Sequence, residues 1–275
     1  IAEGKVLLTV AGGETSGKGD DWVPGMRLSA VTRTAEGYRL DGIRKSYVTS
    51  AGEATHYFML CRVGEDAKPS QLTALLVSAD EVKWETLEPW NGLGMRGNNS
   101  MPMRFDGLVP EANRVGDEHA AAKYLGAVMP VVALTYGAAY LGVAAGAWEL
   151  ACAEAAKRYP SGARRLDSPI NQRRMAEMSA RIEAARALLH AAASAGDAGL
   201  VQAPLPYLQA KVTCSEAAVW VTQELMTMFG GTAFAARLPF ERYFRDARAG
   251  MIMGLANDDA YQNIFGMLFP EPKEK

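Results

Sequence analysis

The hydrophobic pattern of this chain changes period once, near residue 115, and that change restricts the folds open to it more than any single motif does. Before it, short runs rich in Val, Leu, Tyr, Phe and Thr recur between turn signals: Met26–Thr34, Tyr38–Arg44, Tyr57–Val63, Leu72–Ser78, Val82–Leu87 and Met101–Phe105. Ala35-Glu36-Gly37 is a short glycine-containing connection, so the runs on either side of it are expected to form a hairpin. Gly64–Ser70 is a polar loop between two apolar runs. Strands this short and this closely spaced predict a small antiparallel barrel or sandwich.

From about residue 119 the period is helical. Ala120–Arg158 reads as one long helical region, with a kink expected at Pro130. Asp167 or Ser168 caps the next helix, Pro169 takes its first position, and it runs to about Ala195. Its apolar face is Met175, Met178, Ile182, Ala185 and Leu189, a spacing of three and four. A Gly/Pro-rich loop, Gly196–Pro206, leads to a third long helix over Leu208–Phe229 that stops at Gly230-Gly231. Shorter helices follow at Pro239–Met253 and Asp258–Met267, the last capped by Asn257. The chain is thus expected to hold a β domain over residues 1–115 and a helical domain over 116–275.

Composition narrows the function. Lys+Arg 29 against Asp+Glu 31 leaves a net charge of -2, with no basic excess to follow a nucleic-acid backbone. The 3 cysteines, Cys61, Cys152 and Cys214, are odd in number and far apart, which suits a reducing, cytoplasmic setting better than a disulfide framework. With only His56, His119 and His190 beside them, a structural zinc site has almost no ligands to draw on. The stretch Tyr124–Trp148 carries no charge and is long enough to span a bilayer. Its glycines, alanines and Pro130, and the lack of flanking basic clusters, fit a helix buried in a bundle instead, so no membrane partner is expected. The chain opens on Ile1 and runs into Val6–Val10 with no signal-peptide pattern, which suggests that a preceding segment is missing.

Five segments, in order, resemble the acyl-CoA dehydrogenase superfamily. Residues 13–20 (Gly-Glu-Thr-Ser-Gly-Lys-Gly-Asp) resemble its Thr-Glu-Pro-Gly-x-Gly-Ser-Asp loop, with Gly13 and Thr15 as departures. Residues 37–49 (Gly-Tyr-Arg-Leu-Asp-Gly-Ile-Arg-Lys-Ser-Tyr-Val-Thr) resemble its Gly-Tyr-x-Leu-x-Gly-x-Lys-x-Trp-Ile-Thr. Gly92-Leu93-Gly94-Met95-Arg96-Gly97 with Val109-Pro110 matches a third stretch. Gly230-Gly231 is the fourth, and Pro239-Phe240-Glu241-Arg242 with Arg245-Asp246 the fifth. The resemblance implies an α+β chain: a small antiparallel β-barrel domain followed by an all-α four-helix-bundle domain, the family's N-terminal helical domain being absent from this chain.

What the resemblance implies about chemistry is flavin redox, with FAD as cofactor, or FMN if the chain is a monooxygenase. Glu14, Thr15 and Ser16 fall in the loop that lines the flavin edge. Tyr47 and Thr49 fall where the family sets an aromatic and a threonine against the ring; an ordinary strand would also place them on one face. Arg158 falls where an arginine reaches the pyrophosphate of a neighbouring subunit's FAD, and Gln172, Gly230, Gly231 and Asn257 are further cofactor candidates. Arg158 and Gln172 also read as solvated helix-end polarity. Arg96 and Ser100 are the substrate-binding candidates. Glu241, Arg242, Arg245 and Asp246 read as an architectural ion-pair group.

The family's reaction takes an α-proton from an acyl thioester with a carboxylate while a hydride leaves for the flavin. Counting on from Arg245-Asp246, the base position here is Gly254, and the alternative site on the first bundle helix aligns with Val131-Val132-Ala133. Asp258 and Asp259 are the nearest acids and the catalytic candidates, although acids at a helix start also favour the helix dipole. Three readings stay open: a dehydrogenase of an acyl-CoA or another acyl thioester with a displaced base, a flavin-dependent monooxygenase on the same fold, and a non-catalytic subunit of a hetero-oligomer. Arg164-Arg165 with Arg173-Arg174 either favour a phosphate-bearing ligand or form a solvated face. The apolar helices and the resemblance together imply a homo-oligomer, dimer or tetramer, with a separate N-terminal helical domain or subunit as a further partner.

Overall fold

In the computed structural model, residues 1–14, 29–68, 70–198 and 204–270 are described. Two compact units emerge: residues 1–92 with 96–127, and residues 93–95 with the chain from Val128 onward.

The first unit is a curled sheet. Its strands are β1 (Leu8–Ala11), β2 (Ala30–Arg33), β3 (Gly37–Val48), β4 (His56–Val63), β5 (Leu72–Ser78), β6 (Val82–Thr86), β7 (Met101–Pro110) and β8 (Arg114–Val115). They pair in the order β6-β7-β3-β2-β4-β5-β8, with β1 also on β4. The hairpin expected across 35–37 is β2 with β3, in the register Thr32↔Arg39. Gly37 makes that turn possible: its φ is 147° and a Cβ there would lie 2.2 Å from the Val109 carbonyl oxygen. The sheet is not wholly antiparallel as expected, because β1 and β2 both run parallel to β4. Of the expected run Met26–Thr34, residues 26–28 lie outside the described residues.

β4 reads His-Tyr-Phe-Met-Leu-Cys-Arg-Val with almost no polar alternation because both of its faces are covered. Tyr57, Met59 and Cys61 point into the core with Tyr38, Leu75, Met103 and Phe105, where the Tyr57 and Phe105 rings meet edge to face at 5.0 Å. Leu60 and Phe58 on the other face meet Ala121 and Leu125.

α1 (Ala121–Ala155) begins in the first unit and continues in the second. By length and composition it could cross a membrane. Its second half instead buries Ala144, Ala147, Ala151 and Ala155 in the helical core, and Trp148 Nε1 donates to the Met175 carbonyl 3.4 Å away. α2 (Pro169–Asp197) has Ser168 as its N-cap residue and Pro169 at its start. It buries Met178, Ile182, Ala185 and Leu189 of the expected face and adds Ala192, while Met175 is half-buried against the same core. α3 (Leu205–Phe229) is buried along most of its length and ends at Gly230, whose φ of 53° and ψ of -130° suit only glycine.

α4 (Gly231–Phe234), α5 (Phe240–Ala249) and α6 (Asn257–Leu268) complete this unit. α5 stops four residues short of the expected Met253, and a turn over 250–256 follows. Asn257 does not cap α6 as expected. Ala256 takes the cap position, while the Asn257 side chain is buried and bonded elsewhere.

Candidate functional site

In the first unit the site candidates lie on β3, the turn after it, and the segment 96–100. Glu14 is turned inward rather than presented to a ligand. Its carboxylate is 2.5 Å from Lys45 Nζ and accepts from the Ser29 N–H at 2.8 Å. Lys45 also donates to the Leu60 carbonyl at 2.7 Å, and its side chain is fully buried. Burial pushes its ammonium below the ordinary lysine value against the upward pull of Glu14, and burial pushes the Cys61 thiol up to about 12. Thr15 and Ser16, with residues 17–20 of the same loop, lie outside the described residues.

β3 carries register irregularities between Leu40 and Ile43 and between Lys45 and Val48. The second is a bulge around Tyr47, whose φ is 55°. It breaks the period of two that would give Tyr47 and Thr49 one face. Lys45 and Val48 stay buried while the Tyr47 ring turns outward, 65% exposed. Thr49 turns toward Ser100, with hydroxyls 3.1 Å apart. Asn99 holds the same turn, its Nδ2 donating to the Ala51 carbonyl at 3.0 Å, and the Ser50 N–H donates to the Asn98 carbonyl at 2.9 Å. Thr49 and Ser100 are therefore brought together, while Tyr47 turns to solvent. Arg96 is exposed, with Nε directed at the Gly92 carbonyl 3.3 Å away.

In the second unit the 93–95 segment meets α5. The Met95 N–H donates to Asp246 Oδ1 at 2.6 Å, and Arg245 donates to the Leu93 carbonyl at 3.0 Å and to Glu241 at 2.5 Å. Gly94 lies so close to α5 that a Cβ would come within 2.3 Å of the Arg245 carbonyl oxygen. Arg242 takes no part in this group; its guanidinium lies over the Tyr243 ring.

Arg158 donates to the Gly162 carbonyl at 2.7 Å and is exposed at the loop between α1 and α2. Gln172 Nε2 donates to the Leu166 carbonyl at 2.9 Å, so it ties down the same loop. The neighbouring arginines are engaged: Arg164 with Asp167, Arg173 with Glu177, Arg174 with Glu224, and Arg165 with the Met228 carbonyl and, at 4.7 Å, the Phe229 ring. Arg165 thus satisfies an orphan carbonyl at the end of α3, beside Gly230 and Gly231.

Gly254 has a φ of 77°, and a Cβ there would lie 2.7 Å from the Tyr136 ring of α1. The base position is therefore not merely vacant of carboxylate; an aromatic ring stands against it. Tyr136 stacks on Tyr140, whose burial raises its phenol to about 12. Gly254→Glu is expected to lower stability by about 2–4 kcal/mol through backbone strain and overpacking. Adding Tyr136→Ala should return part of that loss in urea unfolding, and strictly additive losses would contradict the packing. Asp258 and Asp259 occupy the first turn of α6, Asp258 exposed and Asp259 half-buried.

Asn257 is 2% exposed, and its side-chain groups are taken up by Lys211 Nζ at 2.6 Å and Ser215 Oγ at 3.1 Å. Sequence reasoning missed Lys45, Lys211 and Tyr136. The signal available for Lys211 was a lone cation at an apolar position of α3, with Val212 and Cys214 beside it.

A family model described as acyl-CoA dehydrogenase, middle domain, matches residues 12–108, and one described as acyl-CoA dehydrogenase, C-terminal domain, matches residues 123–257. The amino sugar nitrososynthase of Streptomyces peucetius is 31% identical over 237 residues, covering 82% of this chain and 58% of that protein. The cyclohexane-1-carbonyl-CoA dehydrogenase of Geobacter metallireducens is 30% identical over 246 residues, covering 88% of this chain and 62% of that protein. The chain thus spans about three fifths of the length of these relatives. The solved structure of butyryl-CoA dehydrogenase from Megasphaera elsdenii superposes with a TM-score of 0.86 at 24% identity, over 97% of this chain and 69% of that one.

Proposed function

The chain belongs to the acyl-CoA dehydrogenase family, and from that premise we propose that it is a flavin-dependent oxidoreductase that binds FAD and oxidises an acyl-CoA or another acyl thioester. The observation that carries this reading is the β3 bulge. It exposes the Tyr47 ring two residues before Thr49, whose hydroxyl pairs with Ser100, on a segment that lies within the middle-domain match and resembles the strand the family sets against its flavin. A planar, polar-edged ring fits that presentation: an aromatic face for stacking and hydroxyls for an edge.

When bound, the flavin supplies a two-electron acceptor for a hydride. Tyr47 would cover one of its faces and Thr49 would hydrogen-bond its edge. Ser100 would fix the Thr49 rotamer, and Arg158 would serve the pyrophosphate of a neighbouring subunit's FAD, with Gln172 a further cofactor candidate. Asp258 and Asp259 are the carboxylates proposed to receive the proton, since Gly254 has none to offer.

A second reading, a flavin-dependent monooxygenase, is favoured by one observation: the Tyr136 ring standing where a carboxylate stem would run from residue 254. The resemblance to a nitrososynthase is in keeping with it. A homo-oligomer is proposed on the exposed apolar side chains of α6, among them Phe265 and Leu268, and a cytoplasmic setting on the free thiols.

The deciding test is the visible spectrum of the purified protein before and after anaerobic addition of acyl-CoAs. The proposal expects a bound-flavin band that bleaches without dioxygen. A band that stays yellow and reacts only after reduction and exposure to dioxygen moves the assignment to the monooxygenase. A protein that binds no FAD on reconstitution ends both.

A further inference from the structure

The turn between α5 and α6 carries Gly254 at its centre and delivers the chain to Asp258 and Asp259. It is held from one side by a single buried cation. Lys211 Nζ donates to the Gly250 carbonyl at 3.0 Å, the Leu255 carbonyl at 2.5 Å and Asn257 Oδ1 at 2.6 Å. An ammonium has three protons, and all three are spent on this turn. Ser215, one helical turn further along α3, accepts from Asn257 Nδ2 at 3.1 Å and keeps the carboxamide oriented.

The opposite side of the turn is set by α1. Tyr136 abuts Gly254, Tyr140 abuts Gly250, and Gly137 lets the backbone of α1 approach Lys211 to contact distance. The turn itself closes with the Asn257 N–H on the Met251 carbonyl at 2.9 Å. Both of its ends are thus fixed through one lysine, while Ile252 at the tip is 74% exposed.

We infer that Lys211 is a positioning residue: it holds the Gly250–Asn257 turn, and so fixes where Gly254 and the acids Asp258 and Asp259 stand in the reaction site. The inference rests on the functional reading above only for what the turn serves; that Lys211 holds the turn is independent of it. A neutral side chain of similar length, such as methionine, would fill the space and strip the Gly250 and Leu255 carbonyls of this donor, leaving Asn257 Oδ1 with Ser215. The charge also makes the clasp sensitive to pH. Burial, outweighing the upward pull of Glu216, lowers the ammonium to about 8. Among the described residues Glu216 is the charged group acting on it. The turn presents the Gly250 and Leu255 carbonyls to it, and α6 presents the Asn257 amide. Lys211 keeps its proton below about 8 in the closed turn. An opened turn returns the ammonium to water and holds that proton more tightly, so the closed turn gains stability relative to the open one as pH rises through about 8.

The test is hydrogen exchange of the full chain, read by mass on peptides covering 250–258, for the native protein, Lys211→Met and Lys157→Met. Lys157 is exposed and, among the described residues, pairs with Glu154, so it controls for loss of a lysine. Native protein should protect the turn at pH 7. Once the chemical pH dependence of exchange is removed, protection should rise between pH 7 and 9 as the closed turn sheds the Lys211 proton. Lys211→Met should exchange the turn at least tenfold faster at pH 7 and show no excess pH dependence, with α2 unchanged. Unaltered protection of the turn in a folded Lys211→Met overturns the inference. If that variant does not fold, Ser215→Ala is expected to speed exchange of the same peptide two- to fivefold, and no change there overturns it equally. None of these readouts needs flavin, so a failure of the flavin reading and a failure of the clasp are separately visible.

Discussion

Gly94→Ala is expected to cost about 3–5 kcal/mol and to release residues 93–95 from α5. The added Cβ would sit 2.3 Å from the Arg245 carbonyl oxygen, 2.5 Å from its carbon and 2.7 Å from the Asp246 nitrogen. Those are backbone atoms of a helix, and they cannot step aside as a side chain could. Moving the 93–95 segment outward instead breaks the Met95 N–H bond to Asp246 at 2.6 Å and the Arg245 bond to Leu93 at 3.0 Å. Gly97, three residues on, is the control. Nothing lies within 4 Å of a Cβ there, so Gly97→Ala should stay within about 0.5 kcal/mol of the native protein. Urea unfolding of the two variants checks the pair, and equal midpoints would show that the close approach of Gly94 to α5 carries no energy.

Glu14→Gln is expected to destabilise by about 3–5 kcal/mol at pH 7, because it leaves the Lys45 ammonium buried without its counter-charge. The Leu60 carbonyl remains as an acceptor, but a neutral dipole does not replace a carboxylate. The sign of the pH dependence follows from Lys45. Its folded value is already below the ordinary one, so the unfolded chain holds this proton more tightly and stability from this group rises with pH. Removing Glu14 deepens that depression. The penalty of Glu14→Gln should therefore shrink as pH rises from 7 toward 10, where Lys45 can be neutral in both states.

Glu14→Gln combined with Lys45→Met should recover most of the loss, as a double-mutant cycle would show. A penalty that stays constant over this range, or grows, would remove the ion pair from the account of this unit. Because Ser46 is bonded to Gly13 beside this pair, the Glu14 variant should also weaken whatever the neighbouring Tyr47 bulge holds.

Much of the architecture follows from local rules that the sequence states outright. The switch of period separates strands from helices. Pro169 opens α2, Gly230 ends α3, and the 175–189 spacing gives the buried face of α2, since each of these is decided within one or two turns of chain. The five ordered segments carry the family for the same reason: they are contiguous stretches. Site roles were less legible. Glu14 looks like a loop acid until Lys45, thirty-one residues away, is placed against it, and Asn257 looks like a cap until Lys211 claims its oxygen.

What the sequence by itself determined is therefore the class of each segment and the family they spell, because both are local. The tertiary structure alone decided which way Tyr47 turns, since a bulge moves a side chain from one face to the other without altering composition. It alone showed that Gly254 is a glycine fitted to Tyr136, that Gly94 is a glycine fitted to α5, and that two buried lysines find their partners across long separations in sequence. Steric fit and the desolvation of charge depend on what stands opposite in space, and no period or spacing along the chain records that.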